Sequence, residues 1–192
     1  MKLILRSTLY VVVLTLLLGG VYPGVVTLVA RTLWRDRADG SFVQSGGRVV
    51  GSELIGQNFR AAKYLHPRPS AAGKEGYDAT GSTGTNKGST DADLAKSIAS
   101  AVEEARKDRP GDPRPVPADL VTSSASGLDP HLSPDAAEWQ AARIAGARGV
   151  TEEQVLAVIR RHVEPRTLGF LGEPRVNVLL TNLDLDRSLA HP

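Results

Sequence analysis

Cysteine is absent from this 192-residue chain, and methionine occurs once. Without a thiol there are no disulfide staples, no thiolate nucleophile and no thiolate metal site. The absence suits an exported domain held by packing and equally many cytosolic proteins. The four histidines, His66, His131, His162 and His191, are too scattered to offer metal-ligand spacing. Aromatic residues make up only 5% of the chain, and none interleaves with a basic patch, so nothing points to nucleic acid.

Acidic residues are missing from the first thirty positions. All 21 of them lie beyond Arg31, and the 24 residues from Ser7 to Ala30, "STLYVVVLTLLLGGVYPGVVTLVA", carry no charge. As a helix that stretch is roughly 36 Å long, enough to cross a hydrocarbon core of about 30 Å with some tilt. Thirteen Leu or Val residues between Leu9 and Val29 supply roughly −4 to −8 kcal/mol toward insertion. A cleavable signal peptide is the competing reading, because Lys2 and Arg6 precede the apolar run. The run exceeds a usual h-region, however, and Leu28 before Ala30 spoils a small-x-small cleavage site, which favours an uncleaved anchor. Within it Gly20 and Gly24 have the spacing that lets a second helix approach closely, with Pro23 as a possible kink.

The division expected is therefore a tail and span over 1–31 and a folded domain over 32–192. Removing Lys2 and Arg6 from the 23 basic residues leaves 21, matching the acidic count, so the sequence pI of 9.0 says nothing about an anionic partner. Arg31, Arg35, Arg37 and Arg48 follow the span, yet a long domain is translocated largely regardless of charge, and sidedness stays open.

Beyond the span, "SFVQSGGRVVGSELIG" reads as two strands around a Gly46-Gly47 turn. From His66 to Thr90 apolar periodicity vanishes, which marks either a functional or a disordered loop. Asp91 or Thr90 caps a helix with the stripe Leu94, Ile98, Ala101, Val102 and Ala105, ended by "RPGDPRPVP". "ADLVT" reads as a buried strand. It leads into "SSASGLDPHLSPDAAEWQ", where Asp129 precedes proline and Ser133-Pro134 starts a helix. On that helix Ala137, Gln140, Ala141 and Ile144 share one face, so Gln140 must find partners, most simply in the 126–129 loop. Thr151 and Gln154 form a capping box for a helix whose inner face is Val155, Val158, Ile159 and His162. "PRVNVLL" reads as a last strand with Val176, Val178 and Leu180 on one side. The whole is α+β with a small mixed sheet, or an antiparallel one.

Enzyme signatures fail by omission. "SSASGL" lacks the glycine two residues before its serines that a nucleophile elbow needs. Ser126, Asp129 and His131 are too close in sequence to converge easily as a triad. In "GSTGTNKGS" the lysine precedes the glycine, unlike a phosphate loop. Three alternatives remain: an assembly subunit of a larger membrane complex, an anchored hydrolase using Ser126, and a solute-binding domain holding an anion at the Ser133 helix start.

Several blocks, taken in order, resemble the C subunit of the Kdp-type potassium-transporting ATPase. They are "GGVYPG", "GSELIGQNF", "HPRPSA", "GYDA", "SSASGLDPHLSP" with "AARIAGARG", and "LGFLGEPRVNVLLTNLDLD". Together they run over nearly the whole chain. Gly24, Leu65 and the Ser82-Thr83-Gly84-Thr85-Asn86 run depart from the family's usual residues.

The resemblance implies a single-pass membrane subunit, amino terminus inside and domain outside. Its implied partners are a potassium-channel-like subunit, a P-type ATPase subunit and a small single-helix subunit. It also implies a catalytic chaperone that raises the ATP affinity of the ATPase subunit, and with it nucleotide binding; the residues themselves show no cofactor site in this chain, and ATP and potassium are used by the complex. The Asp-Lys-Thr-Gly-Thr phosphorylation motif is absent here, so this chain is not the phosphorylated one. An outside domain cannot touch cytoplasmic ATP, so any coupling runs through the span and partner subunits. Docking is expected at Gln57, Arg68, Asn86, Ser126, Asp129 and Arg143, polar groups in loops or beside short elements. The matching blocks add Pro69, Ser70, Tyr77, Gly127, Glu173, Asn177 and Asn182 as partner-binding or structural motif residues; Gln140 joins them from its place on the helix face, and Gly20, Pro23 and Gly24 from their spacing are the helix-packing residues.

Overall fold

A computed structural model describes residues 1–189 of the chain; His191 lies outside the described residues. The chain forms two compact units, Met1–Ser52 and one beginning at Glu53.

The first unit is built on an apolar rod: helix α1 (Lys2–Leu16), a π-helical segment (Leu17–Val21) and helix α2 (Tyr22–Leu33). Together they span 32 residues, long and apolar enough to cross a membrane. The rod outruns the uncharged stretch at both ends, because nothing breaks it before Trp34 leaves helical geometry at φ −142°. The kink expected at Pro23 takes the form of the π-segment. Proline lacks the N–H for the carbonyl four residues back, and its ring crowds that carbonyl at residue 19. A wider turn over Leu17–Val21 absorbs both effects. A short helix α3 (Arg35–Ala38) follows, and then strands β1 (Phe42–Ser45) and β2 (Arg48–Ser52). Ser45 pairs with Arg48, leaving a two-residue turn in which Gly46 and Gly47 have φ +57° and +76°. Positive φ at both positions is what a type I′ turn requires.

The second unit is antiparallel β with helices around it. Its three-stranded sheet has the order β3 (His131–Leu132), β5 (Arg175–Asn177), β4 (Val163–Glu164), with Val176 opposite both Leu132 and Val163. Of the mixed or antiparallel sheet expected, the antiparallel form is present in both pairs: the short 165–174 connection turns β4 back into β5, and β3 runs antiparallel along the other edge of β5. The remaining helices are α4 (Ala92–Arg106), α5 (Pro134–Trp139), α6 (Ala141–Arg148), α7 (Glu152–Arg161) and α8 (Val178–Ser188). Leu132, Ala137, Ile144, Val155, Ile159, Val176 and Leu185 form the core between sheet and helices, and Leu65 fills it from the loop side.

Asp91 caps α4, Ser133 caps α5, and Thr151 with Gln154 closes the capping box of α7. The stripe on α4 is half-covered. Three expectations are corrected. "ADLVT" is not a strand: Pro117 starts a 3₁₀ turn (Ala118–Leu120) in which Leu120 and Val121 donate to Pro117 and Ala118. The last strand stops at Asn177, whose side chain accepts from the Leu180 N–H and starts α8, so Val178 and Leu180 are helical. The helix expected after Ser133 is two helices, parted at Gln140.

Candidate functional site

Residues 62–66, a turn at Ala62 and Lys63 that runs on into irregular backbone, cross the unit as a strap with no strand beside it. Its carbonyls are claimed instead by side chains from the helices. Arg143 donates to the Ala62 and Tyr64 oxygens, and Arg148 donates from Nε to the Lys63 oxygen at 2.8 Å. Asn182 holds Leu65 at both backbone groups, accepting from N at 2.7 Å and donating to O at 3.0 Å. Gln140 does the same at His66, at 2.8 and 3.0 Å. Each amide imitates a neighbouring strand, which is how a buried backbone without a sheet is satisfied. The partner expected for Gln140, the 126–129 loop, is thus replaced by His66. A 1% exposed amide takes whichever backbone its helix faces, and that is a tertiary fact.

Both arginines are spent inside. Arg143 also bonds Asp108 at 3.0 Å and Gln140 at 2.6 Å. Arg148, 7% exposed, bonds Asp186 at 2.7 Å and lies over the Tyr64 ring. Burial, with the Arg143 cation nearby, pushes the His66 imidazole below its ordinary pKa.

The next part of the loop is clamped onto residues 122–131. Arg68 donates to Asp129 at 3.1 Å and to the Thr122 side chain at 3.3 Å. Ser70 Oγ donates to the Gly127 oxygen at 2.6 Å while accepting from the Tyr77 and Ala72 N–H groups. Tyr77, at φ +60°, donates its hydroxyl to the Arg68 oxygen at 2.6 Å. Burial, reinforced by the Asp129 charge, raises its pKa, so it remains a phenol. Gly127 sits at φ +66°, where an added Cβ would lie 2.5 Å from the Thr83 oxygen. The loop from His66 is therefore ordered packing at its first half, not an open mouth.

Ser126 is exposed, and its hydroxyl accepts from the Leu128 N–H at 3.1 Å. Asp129 is taken by Arg68 and the His131 N–H. Among the described residues no hydrogen bond joins Ser126 to His131, and no cluster fit for a metal is present. The grouping does not assemble as a triad. Of the other candidates, Gln57 and Pro69 are half-buried, Asn86 is exposed, Glu173 pairs with Arg166, and buried Asn177 donates to the Glu53 oxygen. Around Gly20, Pro23 and Gly24 the rod is uncovered, with open space where either glycine would carry a Cβ.

A feature the polar residues did not reveal is the hairpin 166–173. Thr167 and Leu171 exchange backbone hydrogen bonds, both at 2.9 Å, and an Arg166–Glu173 pair closes its base. Leu168 (79% exposed), Phe170 (68%) and Leu171 (50%) stand out from it. Leu168 has φ +55°, a conformation unusual for a bulky side chain.

The family model for the K+-transporting ATPase c chain, KdpC, matches residues 4–187. The chain belongs to this family. Among its relatives, the potassium-transporting ATPase KdpC subunit of Myxococcus xanthus is 57% identical over 95% of this chain and 85% of its own length. That of Koribacter versatilis is 47% identical over 100% and 97%. That of Rhodospirillum rubrum is 50% identical over 93% of each.

In this family member most of the motif residues are structural. Arg68, Ser70, Tyr77, Gly127, Asp129, Gln140, Arg143, Asn177 and Asn182 hold the domain together. Leu168, Phe170 and Leu171, within "LGFLGEP", are functional candidates that polar-residue reasoning misses. The available signal is three bulky apolar residues in a glycine turn, between strands too short to bury them.

Proposed function

We propose that the chain is an accessory, non-pore, non-catalytic subunit of an ATP-driven potassium uptake pump, anchored by its rod and docked through its second unit on the pump's other subunits. The observation carrying this reading is the exposed apolar hairpin on a domain whose motif side chains Arg68, Ser70, Gln140, Arg143 and Asn182 are spent on internal hydrogen bonds. Isolated exposed apolar side chains are ordinary, but three adjacent ones on a pinned hairpin form a contact surface. The left-handed Leu168 is consistent with a shape held for a partner.

Family membership supports the rest. The partners are a potassium-channel-like subunit, a P-type ATPase subunit and a small single-helix subunit. The domain lies outside the cytoplasm and the amino terminus inside. The chain raises the ATP affinity of the ATPase subunit as a catalytic chaperone by stabilising one pump state over another, through the rod and the partner subunits. The carbonyl row of the strap offers potassium no vacant ligand set, because two guanidinium groups and two amides already donate to it. Co-purification in mild detergent tests the reading. Phe170→Ala with Leu168→Ser reduces recovery of the partner subunits several-fold while the variant chain stays folded; unchanged recovery would refute hairpin docking. Ser126→Ala leaves potassium-limited growth intact.

A further inference from the structure

The hairpin β1–β2 presents a physical difficulty. A two-stranded hairpin alone in water is marginally stable and needs an apolar cover. Yet in the first unit Ser41 is the one buried residue among those described. Phe42 is 65% exposed and Val49 58% exposed. Val49 is opposite Gln44, which shares a face with Phe42 on β1, so the two apolar groups lie on one side of the ribbon. Eight residues separate the end of α2 at Leu33 from β1 at Phe42, and the first of them is exposed Trp34. This is the order found at a membrane boundary, where tryptophan sits at headgroup level at the end of a span.

Charge agrees. Residues 31–48 contain four arginines and two aspartates. Asp39 pairs with Arg31 at 3.1 Å and lies 3.8 Å from Arg35. Among the described residues Arg37 and Arg48 form no ion pair, and both are exposed. Uncommitted guanidinium groups beside apolar side chains, continuous with an apolar rod, match an anionic lipid surface.

We infer that residues 34–50 form an interfacial collar in which Trp34, Phe42 and Val49 enter the headgroup layer and Arg37 and Arg48 engage anionic lipid phosphates, fixing the depth of the rod. The inference rests on the rod spanning the bilayer, and the test separates the two. The chain has no native cysteine, so single nitroxide labels report cleanly. Labels are placed by Leu14→Cys in the rod, Phe42→Cys and Val49→Cys in the collar, and Lys74→Cys as a water reference. The full chain is reconstituted in vesicles of phosphatidylcholine and phosphatidylglycerol at 3:1, and access to oxygen and a water-soluble nickel chelate is measured.

A label at 14 deep in lipid, with 42 and 49 showing several-fold less nickel access than 74 and more oxygen access, supports the collar. Adding Arg37→Gln with Arg48→Gln then returns 42 and 49 toward the value at 74. If 14 is deep while 42 and 49 behave like 74, the collar is wrong and the span stands. Labels at 42 and 49 shielded from both reagents mean a protein cover, a second copy or the other unit, and overturn it. An aqueous label at 14 removes the span and the collar together.

Discussion

Gly127 shows how much one residue carries. It combines a left-handed φ with a Cβ direction blocked by the Thr83 oxygen and the Ala72 N–H, at 2.5 and 2.9 Å. Alanine there meets backbone on both counts. Gly127→Ala is expected to cost about 1–3 kcal/mol, read as a lower urea midpoint. Asp184 supplies a pH signature. A hydrogen bond from Ser188, with others from His162 and Arg161, holds its pKa down to about 2. Because the folded value lies below the unfolded one, this contribution is complete above the ordinary carboxylate range and is lost as pH falls toward 2. Thermal scans from pH 5 to 2 should show a decline that Asp184→Asn flattens.

At the scale of elements, local signals were readable where the chemistry is local. Ser133-Pro134, Thr151 with Gln154, and Gly46-Gly47 satisfy their own backbone within a few residues, so their motifs name their structures. Val178 and Leu180 continue the strand pattern of Val176 but are helical, because the Asn177 amide both caps α8 and reaches Glu53. Removing it breaks both bonds at a site 3% exposed. Asn177→Ala is therefore expected to destabilise by about 2 kcal/mol, with α8 amides losing hydrogen-exchange protection first. Gln140 was legible as a buried amide needing partners but not as the clamp on His66, since the strap has no strand pattern of its own.

Over the whole molecule, the residues of the apolar core all fall between Leu65 and Leu185. A fragment from Glu53 onward is expected to unfold cooperatively without the rod, checked by thermal circular dichroism. Sidedness is tested by reagent applied outside intact cells. Ser82→Cys should be labelled and Leu3→Cys protected, and the reverse pattern would invert the orientation proposed above.

By itself the sequence determined the rod, the caps, the hairpin turn and family membership, because each is written in neighbouring residues or in ordered blocks. Tertiary structure alone decided that Arg143, Arg148, Gln140 and Asn182 hold a lone strap, and that Leu168, Phe170 and Leu171 face outward. Which backbone a buried amide meets, and which apolar group finds no cover, depend on segments brought together from 74 to 117 residues apart.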